Sequence, residues 1–117
     1  MMYVDFSAGN KEYKLRLNTR SLLALEKRLG MNPLSIFGTD EKDYVIPTLE
    51  HQMFILHASL QQYNHGITLD DTYEIFDNYL EDGHSMDEFL FVIMDVYRVS
   101  GLFKDKKVEG EDDSKNA

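Results

Sequence analysis

The segment from Ser85 to Val99 constrains the fold most strongly, because a clear helix start leads into six consecutive apolar residues. Ser85, with Glu88 three residues later, matches a capping box, in which the two side chains satisfy free amide groups of the first turn. The apolar run 89–94 then covers the whole circumference of a helix, whereas a surface helix carries one apolar stripe. Such a helix either lies at the centre of the domain or presents part of its surface to a partner.

The core of a small domain can use only part of this helix. The residues that can face the core recur at helical spacing: Met86, Phe89, Leu90, Ile93, Val96 and Tyr97. Phe91, Val92 and Met94 are then left over, and side chains of this kind form adaptable apolar surfaces. We therefore assign a candidate face for a client or a second copy to apolar residues of this helix and the segment after it: Phe89, Phe91, Val92, Met94, Leu102 and Phe103.

Residues 3–17 have the pattern of a β-hairpin. Residues 3–7 and 12–17 both alternate between apolar and polar side chains, as half-buried strands do. The turn formers Gly9 and Asn10 lie between them. We expect an N-terminal hairpin that ends close to Leu17.

Three further helices precede the one that begins after Ser85. The spacing predicts a first helix with Thr19 as its N-cap and Gly30 just past its end. A second begins at Pro47, and a third is capped by Thr68. The predicted apolar stripes are Leu22, Leu23, Leu25 and Leu29 in the first helix, Leu49, Met53, Leu56, Leu60 and Tyr63 in the second, and Leu69, Tyr73, Phe76 and Leu80 in the third.

The predicted fold is mainly α with a small N-terminal β-hairpin, an α+β domain whose four helices pack as a small bundle. One domain occupies residues 1–103. Residues 104–117 are charged and contain one large apolar residue, so they cannot bury enough surface to offset the entropy of ordering. We expect this tail to be disordered.

The charge of the chain is strongly divided along its length. The net charge of −9 comprises +3 over residues 1–33, −11 over residues 34–103 and −1 over the tail. A pI near 4.7 argues against nucleic-acid binding, which needs clustered lysine and arginine. The chain has no cysteine and no long apolar stretch of the kind that crosses a membrane. These features favour a soluble, acidic, intracellular domain.

The sequence contains no pattern that predicts catalysis, a metal or a cofactor. The four histidines, His51, His57, His65 and His84, do not pair at the spacing of three or four residues that puts two ligands on one helix face. The acidic residues do not follow the calcium-loop pattern, and the glycines are isolated rather than grouped in a phosphate loop. We expect a protein that is not an enzyme.

Three segments resemble the tail assembly chaperones of long, non-contractile-tailed phages and prophages. Residues 12–34, from Glu12 to Leu34, are similar to that family's opening strand, Leu-Arg-Leu-x-Thr-Arg turn and helix ending Leu-Glu-Lys-Arg-Leu-Gly, followed by Asn-Pro-Leu. The capped helix start at residues 83–90 and the ending at residues 97–103 are the other two. The resemblance spans roughly residues 3–103.

This resemblance implies a small helical protein that binds the tape measure protein and keeps it soluble until the tail tube assembles around it. The tail tube protein and further copies of the chain are additional candidate partners. The implied location is the cytoplasm of the bacterial host, with the protein absent from the mature virion. Two other functions stay open: an acidic DNA mimic or other phage-encoded inhibitor or adaptor, and a structural virion component.

Overall fold

A computed structural model describes residues 2–38 and 44–103, and it begins with the predicted hairpin. Strand β1 (Val4–Ala8) pairs antiparallel with β2 (Lys11–Leu15), with Ala8 opposite Lys11. The two turn residues, Gly9 and Asn10, have φ values of 57° and 68°. Positive φ at both positions defines a type I′ turn, whose twist matches that of two paired strands. The turn chemistry seen in the sequence therefore fixes the register of the hairpin.

Four α-helices follow within the described residues, as predicted: α1 (Thr19–Leu29), α2 (Leu49–Leu60), α3 (Leu69–Glu81) and α4 (Met86–Val99). A short 3₁₀ helix, Pro33–Ser35, lies between α1 and α2. The predicted fold class, a helical domain with an N-terminal hairpin, is confirmed. The tail predicted to be disordered, residues 104–117, lies outside the described residues.

The starts of α3 and α4 are confirmed, and those of α1 and α2 are corrected. Asn18, not Thr19, caps α1, because its Oδ1 accepts the Ser21 N–H at 2.8 Å. Helix α2 begins after Thr48, whose hydroxyl accepts the His51 N–H, so Pro47 precedes the helix. The cap of α1 therefore lies one residue before the predicted Thr19, and the first residue of α2, Leu49, lies two residues after the predicted Pro47.

Helix α2 lies at the centre of the domain, where it packs against α1, α3, α4 and β2. Its buried residues surround most of its circumference: Gln52, Met53, Ile55, Leu56, Ala58, Ser59 and Leu60. The two polar ones donate to backbone carbonyls, Gln52 Nε2 to Pro47 at 2.8 Å and Ser59 Oγ to Ile55 at 2.7 Å. Because α2 occupies the centre, α4 keeps one side on the core and the other at the surface.

Several residues of the predicted stripes lie at the surface instead of in the core: Leu23, Leu49, Tyr63, Tyr73 and Met86. In α3 the buried face is shifted around the helix and consists of Thr72, Ile75, Phe76 and Tyr79. The shift has two physical causes. Tyr79 stacks on the hairpin residue Phe6 with ring centroids 4.9 Å apart, and the Thr72 hydroxyl donates to the Thr68 carbonyl at 2.9 Å, which allows its burial.

The hairpin and α4 meet in an aromatic cluster. Phe89 of α4 packs edge-on against Phe76 and Phe6, with centroid distances of 4.9 and 6.1 Å. Further along α4, the buried Tyr97 hydroxyl donates to the Pro33 carbonyl at 2.9 Å. These contacts hold α4 against β1, α3 and the 3₁₀ helix. In the described part of the chain, no helix has the length and apolar character needed to cross a membrane.

Candidate functional site

The start of α4 is built by the predicted capping box. The Ser85 hydroxyl accepts the Glu88 N–H, and the Glu88 carboxylate accepts the Ser85 N–H, both at 3.2 Å. His84 Nδ1 lies 3.0 Å from the other carboxylate oxygen of Glu88. The hydrogen bond from His84 and then that from the Ser85 backbone lower the pKa of the Glu88 carboxyl. Glu88 is therefore held ionised at the surface where α4 begins.

Helix α4 divides into a core side and a surface side. The buried side chains follow the spacing i, i+4, i+7, i+8: Phe89, Ile93, Val96 and Tyr97. Phe91 points away from the core and is 66% exposed, the most exposed large apolar side chain among the described residues. Val92 next to it is half-buried. Capping sets where the helix begins, and packing against α2 and β1 then turns Phe91 outward.

A surface groove runs between the surface side of α4 and strand β1. One part has a volume of about 430 Å³ and lies between Asp5, Ser7, Phe91 and Val92. The adjoining part, about 320 Å³, lies between Asp5, Asp95 and Arg98 and continues to Val99 at the end of the helix. Asp5 borders both parts, so the two cavities lie next to each other along β1. We call the two together the β1–α4 groove.

The β1–α4 groove is acidic, and its negative charge is only partly neutralised by basic side chains. Arg98 pairs with Asp95 at 2.6 Å along the helix. Asp5 has no cationic group within ion-pair distance among the described residues. Lys14, directly opposite Asp5 on β2, places its ammonium over the Tyr3 ring instead, 4.9 Å from the centroid. The groove is therefore bordered by the exposed Phe91 and by Asp5, whose carboxylate has no cationic partner among the described residues.

The structure brings together only part of the predicted contact face. Phe91 and Val92 border the groove, and Met94 is half-buried on the same helix. Phe89 is 1% exposed and lies in the aromatic cluster, so it belongs to the core and is removed from the candidate surface. The reason is helical geometry, since two residues of an α-helix at positions i and i+2 point to nearly opposite sides.

Leu102 and Phe103 lie apart from the groove. Leu102 borders a separate cavity of about 260 Å³ beside α1 and the 3₁₀ helix. The Phe103 ring packs near Phe37 and Tyr97, with centroid distances of 6.4 and 5.3 Å. Both side chains are half-buried, and they close the core beyond the end of α4.

Strand β1 is the part of the site that the sequence analysis missed. The sequence does indicate that strand β1 can contribute to the site. A single hairpin in an otherwise helical chain has no third strand to pair with its outer edges. A second apolar surface was also missed, a slot of about 360 Å³ in which Leu49 and Met53 of α2 face Tyr73 and Phe76 of α3.

The groups that border the groove are those of a binding surface. They are an aromatic ring, aliphatic side chains, carboxylates and a strand edge. Within residues 2–38 and 44–103, no three histidine, aspartate or glutamate side chains are arranged to hold a metal ion. His57, the histidine with a shifted pKa, lies elsewhere, with Nε2 at 3.0 Å from the Ile67 carbonyl oxygen.

The hairpin, the central helix and the open groove define a small α+β domain with an apolar and acidic surface site. Residues 4–116 match the family model DUF6096, described as a family of unknown function. Since the match spans nearly the whole chain, the chain belongs to this family. No curated protein and no solved structure matches it.

Proposed function

We propose that this protein is a phage or prophage tail assembly chaperone, which binds the tape measure protein and keeps it soluble until the tail tube assembles around it. The resemblance of residues 12–34 to the opening of such chaperones supports the proposal. Under this proposal the protein acts in the bacterial cytoplasm and is absent from the mature virion. The tail tube protein and further copies of the chain are its additional candidate partners.

The observation that carries the proposal is the exposure of Phe91. Phe91 is 66% exposed on a capped helix whose opposite side is buried in the core. A chaperone for a long client with exposed apolar stretches needs an apolar surface of this kind, and aromatic side chains dominate the energetics of protein contacts. Val92 and the half-buried Met94 extend the apolar surface to either side.

The acidic surroundings of Phe91 support the same role. Asp87, Glu88 and Asp95 are exposed on α4, and α3 adds further exposed acids. Surface charge of one sign keeps a protein with an apolar face in solution. An acidic DNA mimic would instead bind through the carboxylates, so its binding would weaken steeply with salt. Client binding through Phe91 is mainly apolar and should persist in high salt.

The test is co-expression of the chain with a tape measure protein from the same phage or prophage, followed by affinity purification. Phe91→Ser should reduce the recovered tape measure protein about tenfold or more, because it removes the aromatic anchor. Ile46→Ser is the matched control, since it removes an exposed apolar side chain that borders neither the groove nor the slot between α2 and α3. Equal recovery with the two variants, both folded, would contradict the role of Phe91. No recovery with the unmodified chain would contradict the proposed function.

A further inference from the structure

Strand β1 has backbone groups that point away from β2. The type I′ turn makes Ala8 and Lys11 a hydrogen-bonded pair, and hydrogen-bonded pairs alternate with non-bonded pairs along an antiparallel ladder. The pairs of Asp5 and Ser7 with their partners on β2 are therefore the non-bonded ones. Their N–H and C=O groups point outward, and no hydrogen bond to them is present among the described residues. The outer edge of β1 thus offers four free backbone groups.

This edge opens into the β1–α4 groove. Among the hairpin strands, only β1 contributes residues to either part of the groove. On the other side of the hairpin, the Arg16 N–H just past β2 donates to the Ser59 carbonyl of α2 at 3.0 Å. The two edges therefore have different surroundings: β2 leads into the contact with α2 and borders a separate cavity of about 600 Å³ beside α3, whereas β1 faces the groove along α4.

The dimensions of the groove match one short strand. The groove follows α4 from Glu88 to Val99, which is about 16 Å at 1.5 Å per residue. Five residues of extended chain, at 3.3 Å each, span about the same length. A strand paired with Asp5 and Ser7 would have one face against Phe91 and Val92 and the other in solvent.

The negative charge of Asp5 favours basic side chains in a strand added beside β1. Asp5 points to the solvent side of the hairpin, and its carboxylate has no cationic partner among the described residues. The neighbouring position of an added strand lies beside it, where an opposite charge is favourable. A segment that alternates apolar residues with lysine or arginine would place its apolar side chains toward Phe91 and Val92 and a basic side chain beside Asp5.

We propose that the β1–α4 groove binds an extended segment of the client as a third strand of the hairpin. The segment carries apolar side chains toward Phe91 and Val92 and a basic side chain beside Asp5. The inference rests on the proposed function for the identity of the client, whereas the mode of binding rests on the geometry of the edge. Strand addition of this kind takes affinity from backbone hydrogen bonds and specificity from alternate side chains.

The probe is a fluorescein-labelled, end-blocked peptide of eight residues in which lysine and valine alternate. Ser7→Pro removes an outward N–H of β1, while Glu12→Pro removes the N–H of the directly opposite residue, which points to the other edge. Both variants also lose the 3.2 Å hydrogen bond from Ser7 Oγ to Glu12, so they form a matched pair. Anisotropy should show peptide binding about tenfold weaker or more with Ser7→Pro than with Glu12→Pro.

A second measurement does not depend on the folding of either variant. In the unmodified protein, the peptide should slow hydrogen exchange at the amides of Asp5 and Ser7 and leave that of Glu12 unchanged. A peptide in which glutamate replaces lysine should bind about tenfold more weakly. Equal exchange at Asp5 and Ser7 with and without saturating peptide, or no binding at concentrations up to about 1 mM, would overturn strand addition.

The same variants separate this inference from the proposed function. If the tape measure protein co-purifies equally with Ser7→Pro and Glu12→Pro, the client binds in another way, such as through a helix, and strand addition is refuted while the chaperone function stands. If the tape measure protein does not co-purify with the unmodified chain but the peptide still protects Asp5 and Ser7, strand addition stands and the proposed client is refuted.

Discussion

Two phenylalanines of α4, only two positions apart, should differ strongly in how much stability is lost when each is truncated. Phe89 is 1% exposed and packs against three aromatic rings, whereas Phe91 is 66% exposed. Truncation of a buried phenylalanine to alanine typically costs about 3–5 kcal/mol, because the apolar contacts are lost and a cavity remains. We expect Phe89→Ala to lower the free energy of unfolding by about this amount.

Phe91→Ala should have a much smaller effect on stability. About two thirds of the ring is already in water, so little apolar burial is lost, and alanine favours the helix by roughly 0.5 kcal/mol relative to phenylalanine. The net loss should be about 1 kcal/mol or less.

Urea unfolding followed by far-UV circular dichroism measures both effects. With a slope of about 2 kcal/mol per molar, typical of a small domain, Phe89→Ala should lower the midpoint by roughly 2 M, and Phe91→Ala by less than about 0.5 M. Similar losses for the two variants, or a larger loss for Phe91→Ala, would refute the orientation of α4 and with it the groove.

Three further predictions concern the contacts that hold the site in place. Tyr97→Phe should lower the free energy of unfolding by about 0.5–1.5 kcal/mol, measured by urea unfolding, because it removes one hydrogen bond to the Pro33 carbonyl, which keeps the Ile36 N–H as its other donor at 3.3 Å. Ser85→Ala removes the N-cap of α4 and should lower the free energy of unfolding by about 1 kcal/mol. Burial, followed by the nearby Arg28 guanidinium, lowers the pKa of His57, so the unfolded chain binds more protons and stability should fall as the pH drops below about 6.5. His57→Gln should reduce this loss between roughly pH 7.5 and 5.5, and an unchanged pH profile would contradict the role of His57.

The sequence predicts those parts of the fold that short-range chemistry determines. The type I′ turn needs positive φ at two adjacent positions, which Gly9 and Asn10 supply. The capping boxes that open α3 and α4 act within four residues, so Thr68 and Ser85 were identified correctly. Where two capping candidates are adjacent, as at Asn18 and Thr19, the pattern does not distinguish them, and the boundary shifted by one residue.

Which side of a helix is buried depends on its neighbours, and there the sequence predicts less. Helix α2 and helix α4 are both apolar around much of their circumference, so periodicity does not decide which is central. In α3 the pattern predicted Tyr73 inside, but Tyr79 stacks on Phe6 of the hairpin, a contact between distant parts of the chain. The candidate site was therefore predicted in part: Phe91 and Val92 border the groove, whereas Phe89 is in the core.

The central claim, that this protein keeps a tape measure protein soluble, is tested most directly by the fate of that client. The tape measure protein is expressed alone and with this chain, and each lysate is separated into soluble and pelleted fractions, with the complex then isolated in about 0.5 M NaCl. We predict that the client pellets alone, becomes soluble with the chain, and stays bound in high salt. A client whose solubility does not change in the presence of this chain would contradict the chaperone function.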